Sequence, residues 1–404
     1  MKNLLINISY IILLITFLDS CSTTTKENVT PLNTAIKLAK SEMKRNPEAW
    51  MIDFRDSPKW GYTNGLVGMA FQKLTSTTKD STYTLYIKNS YADELIDEQG
   101  IIKGYEKTNY NIDKVNSGRI LFEYFKNTKD IRYKNVMDTL RAQMLTHPRT
   151  SDGGFWHKKK YTSQMWLDGI YMANPFLAEY GKTFSSSELF DEVIHQIVTV
   201  QKHTYDEKTG LNYHGWDESK NQRWANKETG QSPNFWGRAQ GWYAMAIVDV
   251  LDYLPEEHEG RDTLISILDN LVNSIIKVRD EKTGLWYQVL DQGSKEGNYL
   301  ESTCSSMFTY AMLKSIRKGY IDKSYKDMAT KTYNSLVNEF IKQNDDGTIS
   351  ISNCCAVAGL GGDPYRDGTY EYYISEPVRD NDPKAVGPFI LASLEMNNID
   401  QTNN

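Results

Sequence analysis

The sequence predicts an all-α protein in which six helical hairpins close into one ring, an (α/α)6 toroid. Three observations carry that reading. Apolar residues recur at helical spacing along almost the whole chain after Leu32, in twelve segments. The segments fall into six consecutive pairs. Between pairs the chain repeats one kind of connector at intervals of about 55–75 residues, and internal periodicity of that length marks a repeat architecture. An even set of αα-hairpins buries its apolar faces when the inner helices pack on one another around a closed ring. A straight helical solenoid is the alternative that the same pattern allows.

In chain order the spacing places helices at about 32–46, 64–76, 80–96, 111–127, 130–145 and 164–181. Six more follow at about 186–203, 234–254, 260–278, 300–319, 323–343 and 383–396. The connectors are Asp97-Glu98-Gln99-Gly100-Ile101-Ile102, Asp152-Gly153-Gly154-Phe155-Trp156 and Asp345-Asp346-Gly347-Thr348-Ile349, together with two near copies. Those copies are Asp206-Glu207-Lys208-Thr209-Gly210-Leu211-Asn212-Tyr213 and Asp280-Glu281-Lys282-Thr283-Gly284-Leu285-Trp286-Tyr287. Each is an acidic turn with glycine followed by a short extended apolar run.

The N-terminus reads as an address. Lys2 supplies a positive start and residues 4–18 an apolar run too short for a comfortable membrane span. Leu18-Asp19-Ser20-Cys21 resembles a bacterial lipobox with Cys21 as the lipidated residue, although Asp19 departs from the small residue usual there. The expectation is a signal peptide over 1–20, a polar tether over 21–31 and one domain over 32–400. The protein would then be exported and lipid-anchored to a bacterial membrane, facing the periplasm or the cell surface. An ordinary signal peptide cleaved nearby is the alternative.

Composition narrows the function. A formal charge of −6 argues against nucleic-acid binding, which calls for a basic patch. With 9 Trp and 26 Tyr the chain has rings to spare for concave sites and sugar faces. After Cys21 three cysteines remain, two of them adjacent, so no disulfide framework is implied; the six His are scattered and do not suggest a metal site.

The chemistry gathers at repeat-equivalent places. Asp168, in Gln164-Met165-Trp166-Leu167-Asp168-Gly169, stands among apolar neighbours at the start of a helix. Burial raises a carboxyl pKa and a helix N-terminus lowers it; burial is expected to win, leaving an acid able to donate near neutral pH. The plainer reading is a helix-capping Asp. Asp113 lies 13 residues after Gly100 and Asp168 lies 14 after Gly154, so both fall in the first turn after a connector. In a closed ring such places share one rim. The third connector leads to His214 and Trp216, then to Asn234-Phe235-Trp236-Gly237-Arg238-Ala239-Gln240-Gly241-Trp242; the fourth leads to Glu301. Two acids, a His, an Arg and several rings on one rim form the constellation of a hydrolase acting on a sugar acid. Arg238 would contact a carboxylate or ring hydroxyl, so that its loss costs activity rather than stability; as a structural ion pair it would do the reverse.

These residues also resemble a known family. The segment around Asp168, Ser232-Pro233-Asn234-Phe235-Trp236-Gly237-Arg238 and Gly241-Trp242-Tyr243-Ala244-Met245 are similar to glycoside hydrolase family 105, the unsaturated rhamnogalacturonyl hydrolases. So is Gly359-Leu360-Gly361-Gly362-Asp363-Pro364-Tyr365-Arg366-Asp367-Gly368 with Tyr372-Tyr373-Ile374. The resemblance runs from about Trp60 to Met396. It implies an (α/α)6 barrel and removal of a 4,5-unsaturated uronic acid, glucuronyl or galacturonyl, from lyase-generated oligosaccharides of pectin. The implied reaction is hydration of a vinyl ether, with Asp168 as general acid/base and Asp113 as the second acid. Two neighbouring acids would also hold their pKa values apart. His214, Trp236, Arg238, Trp242, Lys158 and Tyr62 match sugar-contacting positions. Where the family often has a second acid beside Asp113, this chain has Lys114. No metal or organic cofactor is called for, and an oligosaccharide is the expected partner. Two other readings fit the same chain, an inverting glycosidase of saturated glycans and a non-catalytic glycan-binding surface lipoprotein.

Overall fold

The computed structural model describes residues 30–401. The signal peptide, Cys21 and nearly all of the tether lie outside the described residues. Among those described, no helix is long and apolar enough to cross a membrane.

Capping sets where the helices begin. Thr30 accepts a hydrogen bond from the Asn33 N–H (3.2 Å) ahead of Pro31 and opens α1 (Pro31–Arg45). After α2 (Tyr62–Thr78), α3 (Thr82–Ile87) runs through a π turn at Lys88–Ala92 into α4 (Asp93–Leu95). Likewise α5 (Asp113–Asn116) tightens to a 3-10 turn at Ser117–Arg119 before α6 (Ile120–Thr128). The sequence foresaw each of these pairs as one regular helix. The second tightens where α2 comes close: a Cβ on Gly65 would lie 2.6 Å from the Ser117 Cα. The rest are α7 (Ile131–Leu145), α8 (Leu167–Phe184), α9 (Glu188–Thr204), α10 (Gly237–Val250) and α11 (Arg261–Lys277). They are followed by α12 (Ser302–Lys318), α13 (Lys326–Phe340), the short α14 (Tyr370–Ser375) and α15 (Pro383–Gln401).

Helix α8 starts later than expected. Gln164–Trp166 is a strand, β1, paired antiparallel with β2 (Gly215–Asp217) so that Met165 faces Trp216. Two more small antiparallel pairs follow, β3 (Ile341–Gln343) with β4 (Ile349–Ile351) and β5 (Cys354–Cys355) with β6 (Val378–Arg379).

Burial separates inner helices from outer ones. Every residue of α10 is buried, as is α12 from Ser302 to Ile316, the mark of a helix walled in on all sides. By contrast α11 buries only the stripe Leu264, Leu268, Leu271, Val272, Ser274 and Ile275. The inner helices are α2, α5–α6, α8, α10, α12 and α15. Each packs on the next, and α15 packs back on α2, so the ring is closed and no solenoid. One expectation needs correcting: only five pairs are consecutive. The sixth is made by the chain ends, with α1 packed outside α15.

The five connectors turn on glycines in the left-handed region, Gly100, Gly153, Gly210, Gly284 and Gly347, with φ between 73° and 92°. In the two near copies the same pair of side-chain bonds closes the turn. Asp206 Oδ2 accepts from Thr209 N and Oγ1 (2.9 and 2.6 Å), and Asp280 Oδ2 from Thr283 N and Oγ1 (2.8 and 2.7 Å). The repeat-equivalent glycine of the second connector is Gly153 rather than Gly154.

At the end of the ring away from these connectors, a buried ion network crosses the axis. Asp249 on α10 takes Arg119 Nη2 at 2.8 Å and Lys314 Nζ of α12 at 2.7 Å, and accepts from the Tyr310 hydroxyl at 2.6 Å. Burial alone would raise the Asp249 pKa, but Lys314 and Arg119 hold it well below the usual carboxylate range.

Candidate active site

All six inner helices begin at one rim. Tyr62 is the first residue of α2, Asp113 of α5 and Ser302 of α12; Asp168 and Arg238 are the second residues of α8 and α10; Lys384 is the second of α15. Each helix N-terminus carries the equivalent of about half a positive charge. The rim therefore attracts anions before any side chain is counted.

Asp168 lies between α8 and the loop ahead of β2. Its Oδ2 is 3.1 Å from His214 Nε2, and the His214 ring is wholly buried. Behind the ring, Nδ1 lies 2.7 Å from the Tyr373 hydroxyl on α14. Burial pushes the Asp168 pKa up, but His214, then His157 and Arg238, outweigh it, and the carboxyl titrates below an ordinary aspartate. This reverses the expectation that burial would win. An apolar run in sequence does not reveal which polar groups the fold brings to it.

Asp113 is gripped from the other side. Lys158 Nζ is 2.5 Å from its Oδ2 and His157 Nε2 is 3.5 Å from its Oδ1. Burial raises this carboxyl too, and Lys158, His157 and Lys114 together bring it below the usual value. Both acids are therefore shifted toward the ionised form by their neighbours, in place of the expected split between one protonated and one ionised group. His157 links them: its pKa, lowered to about 3 by burial, is pulled upward by both Asp113 and Asp168. Its ring stacks on Trp166 at 4.3 Å.

Lys114, the departure beside Asp113, donates from Nζ to the Trp60 carbonyl and receives the Trp60 indole N–H on its own carbonyl at 2.8 Å. Burial, with Lys59 and Arg55 nearby, lowers its pKa to about 8. It adds positive charge to the side of the rim that holds Asp113.

The remaining candidates are packed among other rings. Tyr62 stands edge-on to Trp242 at 6.2 Å, and Trp242 stacks on Tyr171 at 4.8 Å. Trp236 donates to Gln288 Oε1 (3.2 Å), stacks on Tyr373 at 5.8 Å and carries the Arg238 guanidinium at 4.7 Å. Both indoles are 1% exposed, each packed against protein on at least one face. Arg238 is also 1% exposed and donates to the Cys355 carbonyl at 2.6 Å. Burial works against its charge, while Cys355, Glu301, Asp382 and Tyr62 favour it and raise its pKa. Arg238 thus has a structural partner of its own, the alternative that the sequence left open beside a contact to the sugar.

Glu301, read from sequence as a rim acid, is committed elsewhere. Its two oxygens accept the N–H groups of Cys304 (2.7 Å) and Cys355 (2.9 Å), capping α12. Trp216 stacks on His203 at 3.6 Å. Sequence reasoning missed His157, hidden in the segment that gave Lys158, and assigned no task to Tyr373, which stood in the tail motif. The structure brings together Asp113, Asp168, His214 and Lys158, with Tyr62, Arg238, Trp236 and Trp242 around them.

The chain and its fold have counterparts. The model of Glycosyl Hydrolase Family 88 matches residues 34–399. The structure is similar to that of a family 105 glycoside hydrolase from C. acetobutylicum ATCC 824, with a TM-score of 0.86 and 45% identity over 90% of this chain and 99% of that one. A protein of Agrobacterium fabrum, Atu3128, is 39% identical over 233 residues, 55% of this chain and 97% of its own length. The unsaturated rhamnogalacturonyl hydrolase YesR of Bacillus subtilis is 24% identical over 274 residues, 66% of this chain and 74% of that protein.

Proposed function

This chain belongs to the glycoside hydrolases of families 88 and 105, and we propose from that premise that it releases a 4,5-unsaturated uronic acid from the non-reducing end of lyase-generated oligosaccharides. The observation that carries the reading is the pair Asp168–His214 and Asp113–Lys158 at the rim where six helix N-termini meet. Such a rim favours an anionic sugar.

Asp168 delivers a proton to C4 of the enol ether. Positive charge develops at C5 and the ring oxygen, where the Asp113 carboxylate stabilises it. Water adds to C5 and gives up a proton to the carboxylate that Asp168 has become. The C5 hemiketal then opens to a ketone, leaving a hydroxyl on C1, and this hemiacetal expels the aglycone alcohol. One water is consumed and one alcohol released. With its low pKa, Asp168 is a strong acid present as a small fraction at neutral pH, so transfer is rapid from that fraction and scarce above it. Lys158 and Arg238 would meet the uronate carboxylate, and Trp236 and Trp242 shape the floor beneath the ring.

Rhamnose is the proposed sugar beyond the cleaved bond, which would place the enzyme in rhamnogalacturonan breakdown. A panel of unsaturated disaccharides tests this directly, because hydration destroys the ultraviolet absorbance of the conjugated double bond. Loss of absorbance with rhamnose-linked substrates supports the reading. Turnover of saturated glycosides alone would favour an inverting glycosidase, and binding without turnover a glycan-binding protein.

We also infer that Cys21 is lipidated and anchors the exported enzyme to a bacterial membrane. Cys21→Ala should release active enzyme into the soluble fraction. A variant that still fractionates with membranes contradicts the anchor.

A further inference from the structure

The three residues Tyr373, His214 and Asp168 stand in line. The Tyr373 hydroxyl is 2.7 Å from His214 Nδ1, and His214 Nε2 is 3.1 Å from Asp168 Oδ2. Tyr373 and His214 are fully buried. Asp168 Oδ2 and His214 Nε2 are both buried and neither makes a hydrogen bond among the described residues, so their 3.1 Å approach is a charge contact rather than an aligned bond. An imidazole with one proton must choose a nitrogen for it, and the group on the far side makes the choice.

We propose that Tyr373 is a positioning residue that fixes the His214 tautomer, donating its O–H to Nδ1 so that the ring proton sits on Nε2, the nitrogen 3.1 Å from the acid, Asp168. This rests on the role given to Asp168 above. A carboxylate only accepts, so an unprotonated Nε2 facing it would set lone pair against charge. A buried phenol is a donor that stays protonated: burial first, then Tyr372 and Asp168, push the Tyr373 pKa well above its ordinary value. Three further contacts lock the geometry. Tyr373 stacks on Trp236 at 17°, His214 lies against Trp236 at 4.8 Å, and Trp166 meets His214 edge-on at 5.5 Å. The His214 ring therefore cannot turn over without displacing two indoles. The same logic holds an imidazole in register in hydrolases where a carboxylate, rather than a phenol, fixes the tautomer.

The groups that face Asp168 are His214, His157, Arg238 and Tyr373. Of these only His214 contacts it directly. When the Nε2 proton is absent, the carboxylate faces a nitrogen lone pair in place of a positive N–H and becomes easier to protonate.

Tyr373→Phe removes one oxygen and keeps the stacked ring. The expected result is a fall in kcat of at least about tenfold with KM changed less than about twofold, and an alkaline limb of the kcat profile moved to higher pH. A merely structural role would lower activity and melting temperature together without moving that limb, and would overturn the proposal. Ring ¹⁵N spectra of His-labelled wild-type enzyme give a second readout that needs no turnover. His214 is assigned by the signals lost in His214→Gln. A proton on Nε2 and a bare Nδ1 support the proposal; a proton on Nδ1 contradicts it, even if Tyr373→Phe does not fold. Should the enzyme prove inactive on unsaturated uronides, the reading of the substrate fails while the tautomer result stands by itself.

Discussion

Replacing Asp168 by Asn separates proton transfer from everything else this side chain does. Asn has the same size, and its carbonyl oxygen can keep the place of the carboxylate oxygen that now lies 3.1 Å from His214 Nε2. What it cannot do is protonate carbon. General acid catalysis is worth roughly 10²–10⁴-fold, so kcat should fall at least about 100-fold, which is about 2.7 kcal/mol of barrier. Stability should change little and in a known direction. The folded-state pKa of Asp168 is depressed by His214, His157 and Arg238 against the opposing effect of burial. Its charge therefore contributes stability that is fully present above the unfolded value, near 3.9, and is lost as pH falls through the folded one. The variant should melt slightly below the wild type at neutral pH and converge with it in acid. Turnover is followed by ultraviolet absorbance of an unsaturated disaccharide and melting by calorimetry. An Asn enzyme with near-native kcat would remove Asp168 from the reaction; one that melts far below the wild type would make the loss a folding defect.

Three more expectations follow from the ion pairs. Asp249→Asn strands Arg119 in the ring axis and leaves Lys314 only its pairing with Asp252 (2.7 Å), and breaking a buried pair costs about 3–5 kcal/mol. For a chain of 404 residues that is a drop of about 5 °C by calorimetry, with kcat at low temperature unchanged; an unaltered melting point would contradict the axial network. Arg238→Met should lower both kcat/KM, by about tenfold or more, and melting temperature, because it leaves the Cys355 carbonyl and Glu301 without their buried cation. A loss of one without the other would show which of its two tasks is idle. In Lys158→Gln, Asp113 loses its strongest cation and its pKa rises, so the acid limb of the kcat/KM profile should move to higher pH; a limb that stays put would free Asp113 from any need to be ionised.

Much of this architecture was legible because it repeats. Connector copies at Asp206 and Asp280 announced a periodic fold, and periodicity placed Asp113 and Asp168 on one rim before any contact was known. What stayed hidden were facts of three-dimensional neighbourhood. The 3-10 turn at Ser117 answers to Gly65 on another helix, and β1 exists because β2 lies beside it. The sign of the Asp168 pKa shift belongs to His214, 46 residues away in the chain. Glu301 looked like a rim acid until two backbone N–H groups were found on its oxygens. His157 offered a signal, a buried His directly before Lys158, that only the stacked Trp166 makes meaningful.

The central claim is that the reaction begins by protonating C4 and adding water at C5. Running it in heavy water and reading the product by proton NMR tests this most directly. The account predicts one deuterium on one face of C4 of the released uronate-derived product, because Asp168 carries an exchangeable proton, and slower turnover through that transferred deuteron. Deuterium spread over both faces of C4 from the first turnovers would mean that cleavage at the anomeric carbon releases an enol that ketonises in solution, and the hydration mechanism would be wrong.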